Sequence, residues 1–291
     1  MRRPNGPAQI GIELIIVDLG LKGAAVCISG GTKGMGRQAA LAFAREGARV
    51  VVTARGQEGL TQTVDALRNI GAPDAFGVQT DAGNPGSIES LFGEITDRWG
   101  ELHTLINMVG PTDPSQGRHF AEVPDEQWRH YFDVGIMSVV RCTRAALPLM
   151  RKAGWGRVIN ISSISSRLGL PMEAPYMTAK AGMNALSKNI AWTLAAEGIL
   201  VNTVTPGVVQ TEALRHFVES TDADNRYDPD NLQDVWQWMR NTFGSRYAGA
   251  IGRVALPAEV TSLLLLLGSR ANSYIVGANI PIDGGTDFSG G

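Results

Sequence analysis

Seven short runs of apolar, often β-branched residues recur along this chain, and most are separated by longer stretches whose apolar positions repeat at helical spacing. The runs are Ala24–Ser29, Arg49–Ala54, Phe76–Thr80, Leu102–Val109, Arg157–Ser162, Leu200–Thr205 and Ala278–Ile282. The helical stretches are Met35–Glu46, Leu60–Asn69, Ser87–Trp99, Asp125–Lys152, Tyr176–Glu197 and Ala258–Leu267. A strand followed by a helix does not turn back as a hairpin; it crosses over, and the next strand lies parallel to it. The alternation predicts an α/β fold: one doubly wound, seven-stranded parallel sheet flanked by helices.

No internal repeat or composition break divides the 291 residues. A chain of that length buries a large core without staples, so residues 21–291 are expected to form one domain behind an N-terminal extension, 1–20. Met1-Arg2-Arg3 and the apolar run Ile10–Val17 resemble a signal peptide only in part. Glu13 interrupts the run and no small-residue cleavage site precedes Asp18, which predicts a cytoplasmic protein. Leu263–Leu267 is too short for a membrane span, and Pro257-Ala258-Glu259 before it is a helix start. A formal charge of -2 without a basic run argues against nucleic acid as a partner. Cys27 and Cys142 lie in apolar segments and are expected to be buried. His103, His119, His130 and His216 are scattered and predict no metal site.

Thr211–Gly252 breaks the alternation. Phe217, Trp236, Trp238, Met239, Phe243 and Tyr247 are mixed there with the polar stretch Glu219–Asp230, too long for a plain loop. One or two short helices over the sheet edge are expected. Two readings stay open: an insertion whose aromatics pack down, and a lid over an apolar substrate.

Behind the first strand stands Ser29-Gly30-Gly31-Thr32-Lys33-Gly34-Met35-Gly36, with a helix directly after it. Glycine allows the tight turn and close backbone approach to a pyrophosphate, which the unpaired N–H groups of a helix start attract. The loop Gly30, Thr32, Lys33, Gly34, Met35 and Gly36 is therefore read as a dinucleotide site. The second strand ends at Arg55 with no carboxylate for a ribose 2′-hydroxyl. Arg55 and Lys33 can instead pair with a 2′-phosphate, which favours NADP(H) over NAD; the alternative is two ordinary solvated cations. Asp81, after the third strand, is placed to meet an adenine or to cap a helix.

Tyr176-Met177-Thr178-Ala179-Lys180 sets a phenol beside an ammonium on one helix face. A free tyrosine ionises near pH ~10, and an adjacent positive charge lowers that value, which suits proton exchange with a carbonyl or alcohol oxygen. Ser163 ends the fifth strand, where a hydroxyl can donate to a substrate oxygen as charge builds on it.

From Leu21 to Gly285 the chain resembles the short-chain dehydrogenase/reductase family, a group of Rossmann-fold oxidoreductases. The resemblance rests on Gly30/Gly34/Gly36, Asn107-Met108-Val109-Gly110, Ser163 before Tyr176-x-x-x-Lys180, Pro206-Gly207 and Asp283-Gly284-Gly285. It implies Tyr176 as general acid/base, Ser163 as the group that orients the carbonyl, and Lys180 as the residue that tunes Tyr176 and holds the nicotinamide ribose. It places Asn107 and Gly110 at the cofactor crevice, and Pro206, Gly207 and Thr211 beside the nicotinamide. The expected activity is hydride transfer between NADP(H) and a ketone or secondary alcohol, with an apolar substrate suggested by Met172, Met177 and the aromatics of 211–252. Glu173 and Arg167 are as readily solvent-facing. Catalytically silent NADP sensing, and isomerisation or dehydration on the same fold, stay open as alternatives. A homo-oligomer, a tetramer, is expected through Asp125–Lys152 and Tyr176–Glu197; the second carries Ala181, Ala185, Ala191 and Ala195.

Two positions depart from the family. Gly135 stands where an asparagine is usual, one that helps hold a water linking the lysine to solvent, and Ser138 is a candidate substitute. Val109 replaces a usual alanine. If a water fills the place of that asparagine and the new side chain fits, Gly135→Asn is expected to be tolerated, because a helix gains propensity by losing a glycine; a relay remade by Ser138 predicts the opposite.

Overall fold

The structure is a computed structural model that describes residues 18–111, 119–169, 174–222 and 224–287. Chain order runs β1 (Ala25–Ser29), α1 (Gly34–Arg45), β2 (Arg49–Ala54), α2 (Gln57–Asn69), β3 (Ala75–Gln79), α3 (Pro85–Arg98) and β4 (Thr104–Asn107). It continues with α4 (Asp125–Phe132), α5 (Ser138–Ala153), β5 (Gly156–Ile161), α6 (Ala174–Leu194) and β6 (Ile199–Pro206). After these come α7 (Glu212–Thr221), α8 (Leu232–Phe243), α9 (Pro257–Leu267) and β7 (Asn279–Ile282).

All seven strands are parallel, in the order β3-β2-β1-β4-β5-β6-β7. β1 therefore has β2 on one side and β4 on the other, and the chain changes direction across the sheet after β3. At such a switch point the loops leaving the two central strands diverge and open a crevice at the carboxyl ends. The period of two along β1 feeds both faces. Val26 and Ile28 join a core with Phe43 of α1, Leu60 of α2 and Leu264 of α9, while Ala25 and Cys27 join one with Leu91 of α3, Ala146 of α5 and Ala191 of α6. Both cysteines are buried free thiols. Burial pushes the Cys142 thiol up to about 12 and that of Cys27 higher still, so both are inert packing groups.

Local chemistry moves several boundaries from their expected places. Asn84 caps α3 by accepting from the N–H groups of Gly86 and Ser87, at 2.9 and 3.3 Å, with Pro85 at the first helical position. The single helix expected over Asp125–Lys152 is two, joined by one turn of π-helix at Asp133–Met137. The strand expected over Leu102–Val109 contracts to β4, since Met108 and Val109 turn to bond the end of β1. Thr211–Gly252 carries two helices, α7 and α8. Met172 and Glu173, and residues 1–17 of the extension, lie outside the described residues.

Candidate active site

The turn after β1 is built for close approach. Gly30 has a φ of +69°, and a Cβ on Gly36 would lie 2.1 Å from the Gly30 carbonyl oxygen, so only glycine lets α1 begin against the turn. Lys33 is the N-cap residue of α1 and no side chain caps that end. The Ser29 hydroxyl accepts from the N–H groups of Met108 and Val109 at 3.0 and 3.4 Å, which binds the loop after β4 to the end of β1. Thr211 closes the rim from the β6 side: a Cβ on Gly34 would stand 3.2 Å from its methyl carbon, and its hydroxyl caps α7 at Leu214 N–H, 3.2 Å away. Met35 packs its side chain against the core, and Thr32 lies beside Gly59 of α2.

The residues expected at the adenosine end have different partners. Arg55 is exposed at the end of β2, where its carbonyl accepts from Gln79 Nε2 at 2.8 Å. Lys33 is not a lone cation: its ammonium pairs with Glu212 at 3.0 Å, an exposed contact that spans from the glycine turn to α7. The same contact holds the Glu212 carboxyl below its usual range. Asp81 closes its own turn, accepting from Gly83 N–H at 2.9 Å, and the α3 cap is Asn84.

Tyr176 and Lys180 sit one turn apart on α6, with the Lys180 ammonium 5.8 Å from the Tyr176 ring centre. Lys180 is 3 % exposed and donates to the Ile161 carbonyl at 2.7 Å. Burial pulls its pKa down to about 8, which leaves it mostly an ammonium at pH 7. A Cβ on Gly110 would lie 3.0 Å from that ammonium, so glycine there leaves the lysine head room at the crevice. Tyr176 packs edge-on to the buried Tyr131, with ring centres 6.4 Å apart. Ser163 follows β5 and accepts from Ser165 N–H at 3.2 Å, which leaves its own O–H able to donate. Pro206 ends β6 in the core; Gly207 N–H donates to the Ile282 carbonyl at 3.1 Å, and a Cβ on Gly207 would meet Asp283 at 2.8 Å. Asn107, at the end of β4, is buried and donates to Asn160 Oδ1 at 2.8 Å.

Gly135 lies in the π turn against α6: a Cβ there would stand 3.0 Å from the Cβ of Ala179, next to Lys180 in sequence. The Ser138 hydroxyl, at the start of α5, donates to the Val134 carbonyl of the π turn at 2.6 Å. Arg167 is not merely solvated; it pairs with Asp287 at 2.7 Å and so ties the loop after Ser163 to the chain after β7. Within 211–252 the aromatics pack on one another, Trp238 lying edge-on to Phe217 at 5.4 Å and to Phe243 at 5.6 Å. Met239 and Phe243 also press on Ile164, Leu168 and Tyr247, so the segment leans on the loop that carries Ser163.

Sequence reasoning missed Glu212, Asn160 and Ser187. Only Asn160 had a signal, a polar residue inside the apolar run of β5. Among the described residues there is no group of three or more His, Cys, Asp or Glu side chains that could hold a metal ion, and no helix long and apolar enough to cross a membrane.

A family model described as enoyl-(acyl carrier protein) reductase matches residues 30–287. The chain is 32% identical over 270 residues to an uncharacterised oxidoreductase, YvrD, of Bacillus subtilis strain 168, covering 92% of this chain and 98% of that one. It is 33% identical over 258 residues to the cis-4-hydroxycyclohexanecarboxylate dehydrogenase of Sinomonas cyclohexanicum, covering 89% and 94%. Among solved structures, L-sorbose reductase from Gluconobacter frateurii complexed with NADPH and L-sorbose superposes with a TM-score of 0.84 at 27% identity, covering 93% and 98%.

Proposed function

The chain belongs to the short-chain dehydrogenase/reductase family, and from that premise we propose that it is an NADP(H)-dependent carbonyl reductase in which Tyr176 is the general acid. The observation that carries this reading is the pairing of Tyr176 with a buried, largely charged Lys180 at the carboxyl ends of the central strands. The cradle fits a dinucleotide. Gly36 and Gly30 meet too closely for any side chain, and α1 starts without a side-chain cap, so its N–H groups suit a pyrophosphate. NADPH, when bound, supplies the hydride.

The side chains then divide the remaining work. Ser163 donates to the substrate oxygen and holds the carbonyl in place. Tyr176 gives that oxygen a proton, and the Lys180 ammonium favours the phenolate left behind. Arg55 and Lys33 supply charge for the 2′-phosphate, and no carboxylate occupies the end of β2 to favour NAD. Residues 211–252 act as a lid over the substrate, and Met239 and Phe243, leaning on the Ser163 loop, favour a substrate with an apolar body.

The test is steady-state oxidation of NADPH over a panel of ring ketones, 3-oxoacyl thioesters and ketoses, repeated with Tyr176→Phe. Turnover with at least one class is expected, with kcat reduced ~10²–10⁴-fold in the variant and NADPH binding retained. Cofactor bound without turnover of any ketone, or a variant with normal kcat, would reject the reading.

A further inference from the structure

Asn160 and Ser187 take no part in the chemistry proposed above, yet they are 0 % and 2 % exposed. A buried amide left unpaired is worse for the fold than an apolar side chain of its size, so its presence in β5 calls for a complete set of partners. The partners form a chain. Asn107 Nδ2 donates to Asn160 Oδ1 at 2.8 Å, Asn160 Nδ2 donates to the Ser187 hydroxyl at 2.8 Å, and that hydroxyl donates to the Met183 carbonyl at 2.7 Å.

One end of this chain lies at the crevice. Asn107 ends β4, and the next two residues bond Ser29 at the end of β1. The other end enters α6 on the face that carries Lys180, since positions 180, 183 and 187 follow helical spacing. The same face is held at a second point, where Lys180 donates to the Ile161 carbonyl and the Ser162 hydroxyl donates to the Lys180 carbonyl at 3.3 Å. Apolar contacts are non-directional and let a helix rotate or slide over a sheet at little cost, whereas hydrogen bonds fix both distance and angle.

We propose that Asn160 and Ser187 are positioning residues: their hydrogen-bond chain sets the rotation and height of α6 over β5, and so the placement of Tyr176 and Lys180 relative to the loop after Asn107. This rests on the proposed roles of Tyr176 and Lys180. A purely structural role would be felt in stability alone.

The test compares Ser187→Ala, which leaves the Asn160 amide without its acceptor, with Ser187→Thr, which keeps the hydroxyl. Three readouts are taken: kcat with NADPH and a ketone that the unaltered protein reduces, the dissociation constant for NADPH, and the spectrophotometric titration of the Tyr176 phenol, obtained as the difference from a Tyr176→Phe background. Ser187→Ala is expected to lower kcat about tenfold with NADPH affinity within about twofold, and to move the midpoint of the phenol titration by about 0.5 in pH or more, because the lysine–phenol distance changes. Ser187→Thr is expected to restore both. A Ser187→Ala protein with lowered melting temperature but unchanged kcat and titration would overturn the proposal, as would loss of kcat and NADPH binding together with no change in the titration. Should the unaltered protein reduce no ketone, the reductase reading fails, and the phenol titration alone decides the positioning role.

Discussion

Lys180 carries a cost at the scale of a single residue. Its ordinary pKa of 10.5 falls to about 8 in the fold because burial strips water from the ammonium. Between those values the unfolded chain holds a proton that the folded chain has lost, so stability rises with pH through that window, and the burial cost is complete below pH 8. Lys180→Met has a similar shape and no charge, but leaves the Ile161 carbonyl unpaired. The fall from 10.5 to about 8 is a change in proton affinity of roughly 300-fold, or about 3 kcal/mol, so relief of the burial cost outweighs one orphaned carbonyl. The variant is expected to be more stable than the parent by about 1–2 kcal/mol at pH 7, and inactive. Urea melts at pH 7 and pH 10.5 check this: the advantage should shrink or reverse at the higher pH, and an advantage independent of pH would contradict it. At the adenosine end the two cations are unequal. Arg55→Ala should weaken NADPH about ten- to a hundredfold and leave NADH unchanged, while Lys33→Ala should weaken it less, because Lys33 must give up Glu212 to reach a phosphate. Equal NADPH and NADH affinities in the unaltered protein would refute both expectations.

At the scale of elements, the central strands were legible because they are apolar runs buried on both faces, and periodicity reports burial. The glycine turn and the Tyr176–Lys180 spacing were legible because they are local in sequence. Periodicity could not show the π turn at Asp133–Met137, because one extra residue in a helix leaves the apolar pattern on either side intact. That turn reverses an expectation. Gly135→Asn was expected to be tolerated on helix propensity, but its Cβ would lie 3.0 Å from that of Ala179, on the helix that carries Lys180. Overpacking of this kind costs about 1–3 kcal/mol, several times the propensity gain. Chemical denaturation of Gly135→Asn should show a loss of that order, and a variant as stable as the parent would show that α6 yields freely. Nor could Ser138 be judged from sequence, since its link to the Val134 carbonyl depends on the turn. Pairings such as Lys33 with Glu212 join residues far apart in the chain, and no local pattern encodes them.

The whole molecule leaves large apolar side chains at its surface. Trp192 of α6 is 87 % exposed and Phe132 of α4 is 52 % exposed, both on helices expected to meet a second copy, and Tyr274 before β7 is 95 % exposed. Isolated apolar side chains need no explanation, but aromatics of this size on such helices fit a buried symmetric contact. A homotetramer is therefore expected in light scattering at micromolar concentration, with Trp192→Glu shifting it towards smaller species. A 31.0 kDa particle would contradict the assembly. Oligomer or monomer, the central claim is that this crevice moves a hydride while Tyr176 moves the proton. The most direct measurement uses NADPH deuterated at the transferable position of the nicotinamide, a ketone, and mass spectrometry of the alcohol formed. One deuterium on the carbinol carbon for each NADPH oxidised is the predicted result; NADPH bound at saturation with no deuterated alcohol would contradict the account.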